Sequence, residues 1–318
     1  ATRFDNRLWG KGATVLWIGR ALLLIITLIP SVGTLVKGSR RWLRIGPFGF
    51  QPSEIAKFAL VVILARYLAR HRRRAETLVR GTLIPLVLIG LLAGPVFLAP
   101  DFGSTMLLGL VGLLILFLGG SHPGYLSIVA TGGLGAFALA IARDEVRWRR
   151  TMAFLNPEKY AQQEAYQLIQ ARYAFVLGGG LGVGLGQSLQ KQFYLPEAHT
   201  DFIYAIIGEE FGLWGTGGVL LLFGVLVACG LHISYRAPDP FGRLLAAGLT
   251  LMIGIQALLN IAVVTGCLPT KGLPLPFISY GGTHLVMSLF MIGVLINIAQ
   301  AGARAPDRIA GQDRLHDF

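Results

Sequence analysis

Charge is what this 318-residue chain has least of: Asp, Glu, Lys and Arg make up only 14% of it. Soluble domains carry about 25%, so a water-exposed surface of ordinary composition is excluded, and a soluble enzyme with it. Acids are scarcer than bases, 16 against 28. The formal net charge of +12 would suit nucleic acid in a soluble protein. No nucleic-acid partner is expected here, because the bases flank apolar runs, where lipid headgroups and anionic substrates account for them. Cysteine is nearly absent, and Cys229 and Cys267 cannot build a disulfide framework. No Gly-Lys-Ser/Thr step and no G-x-G-x-x-G register occurs, even in the glycine run Gly178–Gly186, so a nucleotide loop has no support. Position 1 is Ala and no signal-peptide pattern precedes the first apolar run, so the natural start is expected to lie upstream.

What is abundant is apolar sequence: 54% hydrophobic residues and a mean hydropathy of +0.63. Eight stretches approach the roughly 20 residues a helix needs to cross hydrocarbon: 13–36, 54–69, 82–99, 105–120, 124–142, 202–231, 244–266 and 282–299. They are continuously apolar rather than alternating, which favours helices over barrel strands. The expected fold is therefore an all-α polytopic membrane protein with eight transmembrane helices, one transmembrane domain over 1–318. Gly208 and Gly212, four apart, permit close helix packing. An even number of spans puts both ends on one side. Short segments on that side, including Arg70, Arg72, Arg73 and Arg74, carry more Lys and Arg than the short loops opposite. Both termini are then cytoplasmic, the 301–318 tail with them, and a long extracytoplasmic loop spans 143–200. The Arg70–Arg74 run reads as a topology anchor.

That loop is not low-complexity. Tyr160, Tyr166, Leu168, Ile169, Tyr173 and Phe175 suit short amphipathic helices at the interface, and the glycine run suits flexible backbone near a ligand or membrane surface. It ends in Tyr194-Leu195-Pro196-Glu197-Ala198-His199-Thr200-Asp201, directly before a long apolar helix. Thr200 or Asp201 can cap that helix, or Asp201 can be a catalytic carboxylate; the sequence alone leaves both open. Glu209 and Glu210 lie about 12 Å deeper along the helix, where acids face a cavity or brace neighbouring helices. In Gln51-Pro52-Ser53-Glu54-Ile55-Ala56-Lys57, Glu54 and Lys57 share a helix face and can pair or line a cavity. The segment Leu268–Gly282 has three prolines and three glycines and holds Lys271 and Ser279. It cannot form continuous helix, and broken backbone at membrane depth is tolerated where it lines a cavity. All three clusters fall on the outer side of the expected topology.

Gly38-Ser39-Arg40-Arg41-Trp42, Gln51–Lys57, Pro100-Asp101-Phe102-Gly103-Ser104, Tyr194–Asp201 with Glu209-Glu210, and Lys271–Gly282 together resemble the SEDS family of shape, elongation, division and sporulation proteins. Pro196-Glu197-Ala198-His199-Thr200-Asp201-Phe202-Ile203 and Leu268-Pro269-Thr270-Lys271-Gly272-Leu273 look more like its division branch than its elongation branch. The family fold has ten helices. What resembles its third begins near Ala13, so the first two are expected to be absent from this chain. The resemblance implies a peptidoglycan glycosyltransferase that polymerises lipid II, an undecaprenyl-pyrophosphate-linked disaccharide peptide, at the outer face of the bacterial cytoplasmic membrane. Asp201 matches the family's essential aspartate, and a carboxylate suits deprotonation of an attacking sugar hydroxyl. Arg40, Arg41, Lys57 and Lys271 become candidates for the pyrophosphate, with Glu54 holding Lys57, and Glu197, His199, Thr200 and Ser279 candidates for substrate binding. A divalent cation, Mg or Mn, is compatible with this chemistry, and no metal ligands are assigned. The implied partners are a class B penicillin-binding protein transpeptidase and other membrane proteins of the division complex. A lipid II flippase or other transporter is the rival of another class, since intramembrane charges and broken helices also mark transport paths. A scaffold acting through contacts alone is the third.

Overall fold

Apolar sequence in hydrocarbon must satisfy its amides internally, which makes it helical. The computed structural model describes residues 34–36, 39–45 and 48–313, and these are mostly helix. In chain order come α1 (Pro52–Arg70), a π-helical turn (Leu78–Leu83) running into α2 (Ile84–Leu98), α3 (Phe102–Leu118), α4 (Pro123–Ala142), α5 (Glu145–Leu155), α6 (Tyr166–Gly178), α7 (Ile203–Arg236), α8 (Pro240–Val264) and α9 (Gly282–Asp313). A helix stands at each expected span from 54–69 onward. Five helical stretches among the described residues are long and apolar enough to cross a membrane: Leu78–Leu98, Pro123–Ala142, Ile203–Arg236, Pro240–Val264 and Gly282–Ala303. The other two, α1 with its Glu54, Lys57, Arg66 and Arg70 and the 17-residue α3, are not among the five. Residues 301–313, expected as a tail, continue α9.

The first expected span, 13–36, lies outside the described residues except for Thr34–Val36, which is a strand. This strand, β1, pairs antiparallel with β2 (Ser39–Ile45), and β2 with β3 (Phe48–Phe50). The ladder departs from the all-α expectation. Aromatic and branched residues suit a pleated surface, and here Leu43 pairs with Phe50 and Ile45 with Phe48.

The chain forms two compact units. One comprises the described parts of Ala1–Leu126, Leu226–Met252 and Val286–Phe318; the other comprises Ser127–Val225 and Ile253–Leu285. In the first, α1 is the core helix, buried continuously from Pro52 to Ala65 and packed against α2 and α3. Small residues allow this. A Cβ at Gly248 would run into Val61 and Ile115, and one at Gly112 into Ile89. Asp101 starts α3 as a cap, its carboxylate accepting from Ser104 N at 3.1 Å and Ser104 Oγ at 2.9 Å, which satisfies one of the helix's orphan amides.

In the second unit the long loop is largely ordered by its own caps and turns. Asp144 accepts from Arg147 N at 3.0 Å and so begins α5. The glycine run, expected as loose backbone near a ligand or surface, is instead docked on α7. That helix breaks at Gly212, whose φ of 60° and ψ of −153° are non-helical. The break frees the Glu209 and Glu210 carbonyls, which accept from Val183 N at 2.9 Å and Gly184 N at 3.0 Å. Leu213 N, freed on the other side, donates to Gly179 O and Gly180 O at 3.0 and 3.1 Å. Only glycine fits this seam: Gly182 has φ +82°, and a Cβ there would collide with the Glu210 carbonyl. Gly208 meets the Phe175 ring of α6, so the Gly208 and Gly212 pair does serve close packing.

Candidate functional site

The 195–201 segment has no helix to fix it, so its position is set by what its backbone and side chains bind. Downstream of the glycine run, Glu209, 1% exposed, holds the chain that leads into it. Its carboxylate accepts from Ser188 Oγ, from Leu189 N at 2.9 Å and from Gln190 N at 3.3–3.4 Å. Glu210 pairs with Lys191 at 2.6 Å. The two acids that were expected to face a cavity or brace helices thus anchor residues 188–191, and the π-helical turn Gln190–Tyr194 follows directly. Beyond it Glu197 has φ 58°, a left-handed conformation rare outside glycine, and its carboxylate accepts from Thr200 Oγ1 at 2.9 Å.

Three consecutive carbonyls then tie this segment down, two to the segment before α9 and one to α8. His199 O accepts from Tyr280 N at 2.9 Å, and Thr200 O from Ser279 Oγ at 2.6 Å. Asp201 O accepts from Asn260 Nδ2 of α8 at 2.7 Å. Ser279, 4% exposed, also accepts from Leu275 N at 2.7 Å, so its hydroxyl is engaged on both sides and joins the segments. Asn260 Nδ2 also reaches Leu273 O at 2.6 Å, and Gln256, one turn earlier, donates to Pro274 O at 2.8 Å. Prolines cannot supply ladder donors, so side-chain amides from the neighbouring helix take over the work of shaping this backbone.

The two segments meet at Asp201 and Gly272. A Cβ added to Gly272 would stand 2.7 Å from Asp201 Oδ2, so the carboxylate rests where any other residue would put its side chain. The preceding residue, Lys271, has its ammonium 4.7 Å from the centre of the Phe137 ring, a cation–π arrangement. Burial holds its pKa below the ordinary lysine value, because desolvation penalises the charged form. His199 is exposed, whereas Glu197, Thr200 and Asp201 are half-buried.

In the other unit, Lys57 Nζ lies 2.8 Å from Glu54 Oε1, with side-chain exposures of 1% and 3%. Of the two arrangements the spacing allows, they form the buried ion pair. Arg40 and Arg41 both fall on β2, where Arg40 pairs with Leu35. Among the described residues no group of three or more His, Cys, Asp or Glu is placed to hold a metal. Mg is commonly held by one or two carboxylates plus substrate phosphates, and Asp201 fits that kind of ligation. Cys229 and Cys267 are both free thiols.

The model of the cell cycle protein family FtsW/RodA/SpoVE matches residues 1–303. The chain belongs to this family. It is 41% identical over 306 residues to a probable peptidoglycan glycosyltransferase FtsW of Geobacter sulfurreducens, covering 96% of this chain and 82% of that one. With a protein of the same name from Coxiella burnetii it shares 40% over 302 residues, 94% and 81% of the two chains. Among solved structures it is similar to a chain from a study of the structural coordination of polymerization and crosslinking by a peptidoglycan synthase complex: TM-score 0.78, 26% identity, 95% and 84% covered. The rod shape determining protein RodA of Thermus thermophilus matches with a TM-score of 0.69 at 27% identity, covering 93% and 80%.

Sequence reasoning missed Asn260 and Gln256. Their signal was available: two amides four residues apart, on one face of an otherwise apolar span, where polar residues are expensive and kept for a reason.

Proposed function

We propose that the chain is a division-type peptidoglycan glycosyltransferase that polymerises lipid II at the outer face of the bacterial cytoplasmic membrane. Eight spans, with both ends cytoplasmic and the 143–200 loop outside, are part of this proposal. The observation that carries it is the Asp201 carboxylate seated on side-chain-free Gly272, next in sequence to the half-buried Lys271. Family membership and the similarity to FtsW relatives support it.

In this mechanism a sugar hydroxyl attacks the anomeric carbon of a lipid-linked sugar. Asp201 takes the hydroxyl proton as the new glycosidic bond forms, and the bond to pyrophosphate breaks with its electron pair leaving on the lipid pyrophosphate. Pyrophosphate is already a good leaving group, so a second carboxylic acid is not required. Positive charge is required instead. Lys271, the residue before Gly272, supplies it, and Lys57, held by Glu54, together with Arg40 and Arg41 are further pyrophosphate ligands by resemblance. Asp201 is the carboxylate that would hold a divalent cation, and the chemistry such an ion would supply is Lewis-acid stabilisation of the leaving group. Glu197, His199, Thr200 and Ser279 shape or contact the substrate path. A class B penicillin-binding protein transpeptidase is the proposed partner, in keeping with the synthase complex among the similar structures, and other division-complex membrane proteins would join it.

The break in α7 at Gly212 and the non-helical stretch before α9 also suit a lipid II transporter, since discontinuous helices line transport paths. One experiment separates the two. Purified protein in liposomes carrying lipid II is expected to yield glycan polymer. Translocation of lipid II without polymer would overturn the enzyme in favour of the transporter.

A further inference from the structure

We infer that Asn260 is a positioning residue for Asp201: it clamps the main chain of Asp201 to that of Leu273 and thereby holds the carboxylate in register over Gly272. The inference rests on Asp201 being the base. Asn260 lies on α8 and is 1% exposed. Its Nδ2 carries two hydrogens, and both are used, on Asp201 O at 2.7 Å and Leu273 O at 2.6 Å, partners 59 and 13 residues away in sequence. Its Oδ1 is buried with no hydrogen-bond partner among the described residues. Buried amides normally satisfy both ends, because an unpaired polar atom destabilises the fold. One-sided use marks the double donation as what the position is kept for.

The two carbonyls bracket the reactive contact. The peptide plane of Asp201 sets the direction of its own Cα–Cβ bond through φ and ψ, and Leu273 directly follows Gly272, whose missing side chain leaves room for Oδ2. A single planar amide therefore fixes the base and the surface on which it rests against each other. Gln256 makes the natural contrast. Four residues earlier on α8, it donates to Pro274 O at 2.8 Å and so holds the proline-rich segment.

The test uses the full chain in lipid II liposomes, with turnover and KM measured for Asn260→Leu, Asn260→Asp, Gln256→Leu and Asp201→Asn, and folding followed by thermal unfolding. Asp at 260 keeps the shape but has no N–H to donate. Misplacement of a reacting group by about 1 Å costs roughly 10²-fold in rate, and that loss in kcat is expected for both Asn260 variants. KM should stay within about threefold, since binding to the ground state is untouched. Gln256→Leu should lose less kcat than either Asn260 variant. Wild-type kcat in folded Asn260→Asp, or an equal loss in Gln256→Leu, overturns the inference. So does failure of both Asn260 variants to fold, which would make Asn260 a folding determinant. If Asp201→Asn polymerises, the base assignment fails; if it is dead while Asn260→Asp is fully active, only the clamp fails.

Discussion

Gly272→Ala tests the seat of the carboxylate without touching a charge. The backbone at 272 is outside the left-handed region, since no positive φ is recorded there, so alanine suits its conformation. Its methyl carbon would stand 2.7 Å from Asp201 Oδ2, while ordinary contacts of this kind begin at 3.4 Å. One of the two must yield by about 0.7 Å, and the backbone carbonyls of Asp201 and Leu273 are both held by Asn260, so the carboxylate moves. A side-chain rotation is cheap in stability, of order 1 kcal/mol, yet large for a base that must meet a proton at hydrogen-bond distance. We expect turnover in a purified lipid II polymerisation assay to fall by between about 10- and 100-fold, with the unfolding transition nearly unchanged. Gly282→Ala, which adds a methyl group to open space, is the control and should be silent. Wild-type turnover in folded Gly272→Ala would refute the reasoning, because it would show that the carboxylate's seat does not govern the chemistry.

The remaining predictions address the other clusters. Glu54→Gln or Lys57→Met alone strands a buried charge and is expected to destabilise by about 3–5 kcal/mol; the exchange Glu54→Lys with Lys57→Glu should recover melting temperature but not polymer yield, and full recovery of yield would make the pair purely structural. Burial lowers the Lys271 pKa, so the folded protein loses this cation at a lower pH than an exposed lysine would. The KM for lipid II should therefore rise on the alkaline limb, and Lys271→Arg should flatten that rise, as guanidinium stays charged; coincident profiles would remove Lys271 from pyrophosphate binding. Gly182→Ala combines a φ of +82° with a collision on the Glu210 carbonyl, whereas Gly180→Ala meets open space. The first is expected to cost more than about 2 kcal/mol in thermal unfolding and the second close to nothing, and equal effects would contradict the docked seam.

Local and periodic features were legible in the sequence, and non-local backbone pairing was not. A helix stands at each apolar run from 54 to 299, because an apolar run that must satisfy its own amides is helical, and Glu54 and Lys57 paired because three residues is nearly one turn. The Gly178–Gly186 run looked loose because nothing in its own sequence reveals that α7 opens at Gly212 to receive it. Position 212 itself reads as one more small residue in an apolar helix. Within the site, Asp201 and Lys271 stood out by charge and motif, while Asn260 was hidden among apolar neighbours, and Gly272 matters for the atom it lacks. The β1–β3 ladder was overlooked because β1 and β3 are too short to show a period of two, and Arg40, Arg41 and Arg44 interrupt the pattern within β2.

Asp201→Asn, purified and reconstituted with lipid II, bears most directly on the central claim. Asparagine keeps the size of the side chain and an oxygen that can accept from a helix N–H, but it cannot take up the proton of an attacking hydroxyl. The account predicts protein that folds, melts like the wild type and makes no glycan polymer. Polymer at wild-type yield from folded Asp201→Asn would contradict it.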